Sequence, residues 1–134
     1  MPGNIIPTLK YLDAPAAIDW LCRAFGFARH LVVEGDSNLI EHAQLTIGEG
    51  MIMLGSVRES EFDKLQKPPS SDRGSVTQSP YIVIEDVDAH YSRALAAGAE
   101  IVMAPADQDY GGRLYACKDP EGHLWSFGSY NPWD

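Results

Sequence analysis

"GGRLYACKDPEGHLWSFGSY", residues 111–130, reads as two strands joined by a turn. The strands are expected at about 113–118 and 123–130, with Asp-Pro-Glu-Gly between them as turn-formers. In the second strand Trp125 and Phe127 share one face, while Leu124, Ser126 and Gly128 share the other. The aromatic face is expected to lie against a helix. Ser126 then looks away from it, so what that face can do depends on what the rest of the chain brings alongside.

Upstream, "SPYIVIE" (79–85) is β-like, and Asp86 caps a helix whose Val87, Tyr91, Ala94 and Leu95 share a face. Gly98 stops that helix, a strand follows at about 100–104, and "DQDYGG" forms the next turn. The same order occurs earlier. "IIPTLKYL" (5–12) is a strand, and Asp13 caps a helix with Pro15 in its first turn. Ile18, Leu21, Cys22 and Phe25 repeat at helical spacing until Gly26. Strands are then expected at about 28–34, 40–47 and 51–57, separated by "GDSN" and "GEG". An offset of 73 superimposes the halves, with Asp13 on Asp86, Ala16 on Ala89, and "LGS" (54–56) on "FGS" (127–129). Two βαβββ modules, at about 4–57 and 79–130, neither able to bury a sheet face alone, would pack as a single α+β domain spanning 1–134. Residues 58–78, with "KPPSSDRGS", read as a mobile linker.

Bulk properties narrow the function. The 134 residues suffice for one domain, and 45% hydrophobic content is normal for a globular chain. Ten Lys and Arg against 19 Asp and Glu give 10 − 19 = −9, which disfavours nucleic-acid or anionic-membrane partners. Cys22 and Cys117 read as free thiols in a reducing cytoplasm. "MPGNIIPT" lacks the features of an export signal, and no apolar run approaches the roughly 20 residues of a membrane span.

"DAPAAIDWLCRAFGF" (13–27), "GGRLYACKDPEGHLWSFGSY" (111–130) and the paired βαβββ order make the chain resemble the vicinal oxygen chelate superfamily. That superfamily includes glyoxalase I, extradiol dioxygenases, fosfomycin-resistance enzymes and bleomycin-resistance proteins. The resemblance implies two βαβββ modules forming a curved mixed sheet with a central cavity. It also implies dimers with cavities near the shared interface, and the apolar edges "IIPTL" and "YIVI" need covering.

In metal-dependent members the resemblance implies one ligand from each of four strands, His or Gln early in each half and Glu in each last strand. The matching positions are Ile6, Met53, Ser79 and Ser126, and the offset links them in pairs. None is a plausible ligand for a divalent cation. No metal and no cofactor are therefore expected. A relocated site drawing on Glu41, His42, Gln44, His90 and His123 is the alternative, although His90 reads as a solvated surface residue and His123 as structural.

Strand alternation then assigns a small-molecule lining. Thr8 and Lys10 accompany Ile6, Met51 and Gly55 accompany Met53, and Tyr81 and Val83 accompany Ser79. His42 and Gln44 pair by the offset with Tyr115 and Cys117, and Arg113 precedes these on the same face. The candidate ligand-binding residues are Thr8, His42, Gln44, Met53, Tyr81, Tyr110, Arg113, Tyr115 and Ser126. Arg113, at the mouth of a closing loop 107–113, is expected to supply the polar contact, with Tyr110 and Tyr115 stacking on a planar ligand. The bland reading makes Arg113 a surface ion pair with Asp109 or Asp119, and Met51 and Met53 core fillers. No nucleophile arrangement and no phosphate-binding glycine loop is present. The expected function is metal-free sequestration of an apolar or aromatic small molecule by a cytoplasmic homodimer, with no catalytic residues. The alternative is a lyase, isomerase or dioxygenase of the same superfamily with a relocated metal.

Overall fold

Asp13 ends the first strand and starts the first helix. Its carboxylate accepts a hydrogen bond from the Ala16 N–H at 3.2 Å, and Pro15 sits in the first turn, where a missing N–H costs nothing. At the other end Gly26 adopts a left-handed φ of 88°, and its N–H reaches the Cys22 carbonyl at 3.2 Å. Helix α1 therefore runs Ala14–Phe25. The computed structural model describes residues 2–71 and 74–134 of the chain. Around α1 stand β1 (Thr8–Tyr11), β2 (Ala28–Glu34), β3 (Ile40–Ile47) and β4 (Gly50–Ser56). The second module comprises β5 (Tyr81–Val83), α2 (Val87–Ala96), β6 (Glu100–Asp107), β7 (Arg113–Lys118) and β8 (Leu124–Gly128). Asp86 caps α2 as Asp13 caps α1, accepting from the Ala89 N–H at 3.0 Å.

The α+β architecture is two four-stranded mixed sheets with one helix each, in the orders β1-β4-β3-β2 and β5-β8-β7-β6. The first strand of each module runs parallel to the last, and the remaining pairs are antiparallel. Both outer first strands are shorter than expected, beginning just after Pro7 and Pro80, which carry no N–H for a ladder. Strand β6 is longer and passes Pro105 through register shifts on an outer edge, where proline is tolerated.

Both sheets turn alternate residues into one core. Tyr11, Leu45 and Leu54 come from the first, and Tyr115, Trp125 and Phe127 from the second. Phe25 sits between them, its ring centroid 5.4 Å from that of Trp125 and 4.6 Å from that of Phe127. Leu95, expected on the packed face of α2, is 49% exposed; Val87 and Ala94 bury that helix instead.

The second module also satisfies backbone groups at both ends of α1. At the N-terminal end, Glu121 of the β7–β8 turn accepts the Leu12 and Asp13 N–H groups at 2.6 and 2.9 Å. At the C-terminal end, Arg93 donates to the Arg23 and Cys22 carbonyls, and His90 Nε2 donates to the Phe25 carbonyl at 2.8 Å. Beside Glu121, the buried Asp119 accepts from Tyr11 Oη at 2.6 Å, from Trp125 Nε1 at 3.1 Å and from two backbone N–H groups. Burial and this carboxylate together push the Tyr11 phenol well above its ordinary pKa.

The connection 58–78 is held down where it is described. It contains 3-10 turns at Phe62–Lys64 and Pro69–Ser71, Pro68 is fully buried, and Gln66 donates to the Thr8 carbonyl at 2.8 Å. Residues 72 and 73 of this connection lie outside the described residues.

Candidate functional site

The inward face of each sheet is consumed by the core, so functional side chains must stand on the other. On the first sheet the pairs Thr8–Met53 and Gln44–Met53 put Thr8, Gln44 and Met53 side by side. His42 lies two residues from Gln44 on the same face, and its Nε2 is 3.0 Å from Gln44 Nε2. On the second sheet Tyr81 pairs with Ser126, and Ser126 with Ala116. The Tyr81 ring lies across Gly128, where a Cβ would come within 2.6 Å of its hydroxyl, and that hydroxyl donates to the Tyr130 carbonyl at 2.7 Å. Burial raises the Tyr81 pKa, so it stays a neutral phenol.

Six expected contact residues thus occupy two open faces: Thr8, His42, Gln44 and Met53 on one, Tyr81 and Ser126 on the other. Tyr115 does not join them. It pairs with Phe127 and is fully buried on the helix side, as is Cys117 opposite Trp125. The reason is the offset. It is 73 between β1 and β5 and between β4 and β8, but Ala43 pairs with Leu54 where Tyr115 pairs with Phe127, making it 72 between β3 and β7. A slip of one residue exchanges the faces of a strand, and Leu114 and Ala116 take the places assigned to Tyr115 and Cys117.

Tyr115 instead meets His90, with its hydroxyl 2.5 Å from His90 Nδ1. His90 is no solvated surface residue: it stacks on Phe25 and lies 4.2 Å, centroid to centroid, from Phe127. Desolvation lowers its pKa and holds it neutral. Burial raises the Tyr115 phenol and pushes the Cys117 thiol up to about 12, so that thiol is inert. Arg113 follows Tyr115 to the helix side, where it pairs with Asp88 at 3.1 Å and Asp107 at 3.2 Å rather than with Asp109 or Asp119. Tyr110 is exposed in the β6–β7 loop, edge-on to Tyr130 at 5.1 Å.

Other residues on the open faces went unnamed from the sequence. Leu31 and Val33 of β2 pair with Gln44 and His42, and Met103 of β6 pairs with Ala116; all three are exposed. Alternation along 28–34 signals the first two, but a register shift between Arg29 and Leu31 hides which residues go with which face.

A metal does not fit these residues. Strand pairing sets Thr8 and Tyr81, not Ile6 and Ser79, beside Met53 and Ser126, and that set offers no imidazole or carboxylate. Among the described residues no group of three or more His, Cys, Asp and Glu is placed to hold a metal ion. Of the set considered for a relocated site, His90 is engaged with Tyr115 and Phe25, and His123 Nε2 donates to the Lys10 carbonyl at 2.8 Å.

The profile of the Glyoxalase/Bleomycin resistance protein/Dioxygenase superfamily matches residues 9–127. The chain belongs to this superfamily. It is 37% identical to the uncharacterized protein Mb0911c of Mycobacterium bovis over 123 residues, covering 91% of this chain and 80% of that protein. Among solved structures, TioX from Micromonospora sp. ML1 superimposes with a TM-score of 0.74 at 32% identity, over 96% of this chain and 99% of TioX. The fosfomycin resistance protein FosX from Mesorhizobium loti shares the fold at a TM-score of 0.66 and 14% identity, over 99% of this chain and 96% of FosX. The Glyoxalase/Bleomycin resistance superfamily includes resistance proteins and enzymes on one scaffold, so the site must decide between them. Among the described residues no helix is long and apolar enough to cross a membrane.

Proposed function

We propose that this superfamily member is a metal-free small-molecule-binding protein that sequesters an apolar or aromatic compound. Its cavity is completed when a second copy of the chain sets one open sheet face against the other. One observation carries the reading. The two sheets turn their inward faces into a single shared core, so their open faces point away from it and leave Leu31, Val33, Tyr81, Val83 and Met103 exposed. Apolar surface of this extent on a small chain is the mark of an interaction or ligand surface. Opposed faces of this make-up would enclose an aromatic ligand between methionines, aliphatics and Tyr81. The absence of a fitting metal donor set on these faces favours binding over lyase, isomerase or dioxygenase chemistry.

Sedimentation equilibrium at micromolar concentration, combined with a thermal-shift screen of aromatic compounds, tests this. A mass of twice 14.7 kDa and a saturable stabilisation by an aromatic hit are expected. A 14.7 kDa monomer, or activity that requires one bound metal per chain, would contradict it.

A further inference from the structure

We propose that the ligand of this cavity is an uncharged planar compound carrying a hydrogen-bond donor beside an acceptor, as in a lactam or secondary amide. The hydrogen-bonded pair His42–Gln44 orients it. This rests on the cavity reading above and concerns what the cavity selects.

The centres of the open faces carry Thr8, Gln44 and Met53 on one sheet and Tyr81, Val83 and Ser126 on the other, none formally charged. Lys10 shares the first face, but its Nζ lies 3.3 Å from Asp63, and both side chains are largely buried, so this pair is already neutral. Arg113, the fork of donors at the cavity mouth expected from the sequence, is bound to Asp88 and Asp107 on the other side of its sheet. Lys118 shares the second face only at the far end of β7, opposite Glu100 of β6, so a ligand carboxylate, phosphate or ammonium enclosed at these centres would find no counter-ion among them, and burying an unpaired charge is strongly unfavourable.

Gln44 Nε2 can only donate, so His42 Nε2 accepts, and the imidazole proton sits on Nδ1. Neither side chain has another hydrogen-bond partner among the described residues. Together they offer the His42 Nδ1–H donor and the Gln44 Oε1 acceptor, the complement of a lactam edge. Met51 and Met53 flank them on the adjacent strand, ready to pack on a flat ring.

Four probes of similar size separate the terms by isothermal titration: quinolin-2-one, naphthalene, naphthalene-2-carboxylate and N-methylquinolinium. Quinolin-2-one is expected to bind best, with both ions at least about tenfold weaker. Gln44→Leu and His42→Leu should each lower the preference for quinolin-2-one over naphthalene by about tenfold, since one hydrogen bond is lost and apolar wall is gained. Both side chains lie on a half-exposed face, and thermal unfolding checks that the variants fold. Equal binding of either ion, or an unchanged preference for quinolin-2-one over naphthalene in both variants, overturns the inference and leaves the cavity standing. Binding of none of the four probes by a dimeric protein overturns both.

Discussion

His90 shows how much of this fold depends on a single neutral side chain. It donates to the Phe25 carbonyl at the end of α1, lies against Tyr115 of β7, and stacks in the aromatic core. Arg93 on its own helix further opposes its protonation. Its folded pKa lies below the ordinary 6.5, so the unfolded chain takes up the proton first. Stability should therefore be full above pH 6.5 and fall as pH drops through that value, levelling once the folded imidazole itself titrates. Asp63 acts in a separate window: its pKa is lowered chiefly by the Ser60 hydroxyl, so its contribution is lost only below the ordinary 3.8. Urea unfolding between pH 7.5 and 5 should show this decline, and His90→Gln should flatten it while lowering stability throughout; an unaltered slope would refute the assignment. Sequence periodicity alone placed His90 on the polar side of α2, because hydrophobic pattern cannot see that a carbonyl and a phenol await an imidazole there.

At the scale of elements, α1 is the piece on which both modules close. Its caps were legible at once: Asp13, Pro15 and Gly26 are local signals, and they act within four residues. What its ends meet was not legible, because Glu121, Arg93 and His90 reach it from 65 or more residues away. The same contrast explains the strands. Leu124 to Gly128 was assigned to the correct faces from alternation alone, whereas β7 was inverted because its pairing with β8 is shifted by one residue relative to β3 with β4. That single step puts Tyr115 and Arg113 on the helix side of their sheet. If α1 unites the modules, Phe25→Ala should remove about 3–5 kcal/mol, as for a large aromatic in a core, because Trp20, Trp125, Phe127 and His90 all pack on it. Chemical denaturation followed by tryptophan fluorescence should show one earlier, still single transition. A loss under about 1 kcal/mol, or two separated transitions, would mean the modules stand independently.

For the whole molecule, the shared core forces the open faces outward, and the proposed cavity then needs a face from each of two chains. This geometry has a direct consequence. Met53→Arg spoils only the face carried by the first sheet, and Ser126→Arg only that carried by the second. In a symmetric dimer each variant alone spoils both cavities, because each cavity takes one face from each chain. A dimer containing one chain of each kind has one cavity with both faces intact. The decisive measurement is calorimetric binding of quinolin-2-one to the parent, to each variant, and to the two variants unfolded and refolded together. The account predicts binding by the parent, none by either variant, and recovery of about a quarter of the parental sites in the mixture, as random pairing of two isologous chains requires. A mixture that stays as inactive as its components, although it contains mixed dimers, would contradict a cavity shared between chains.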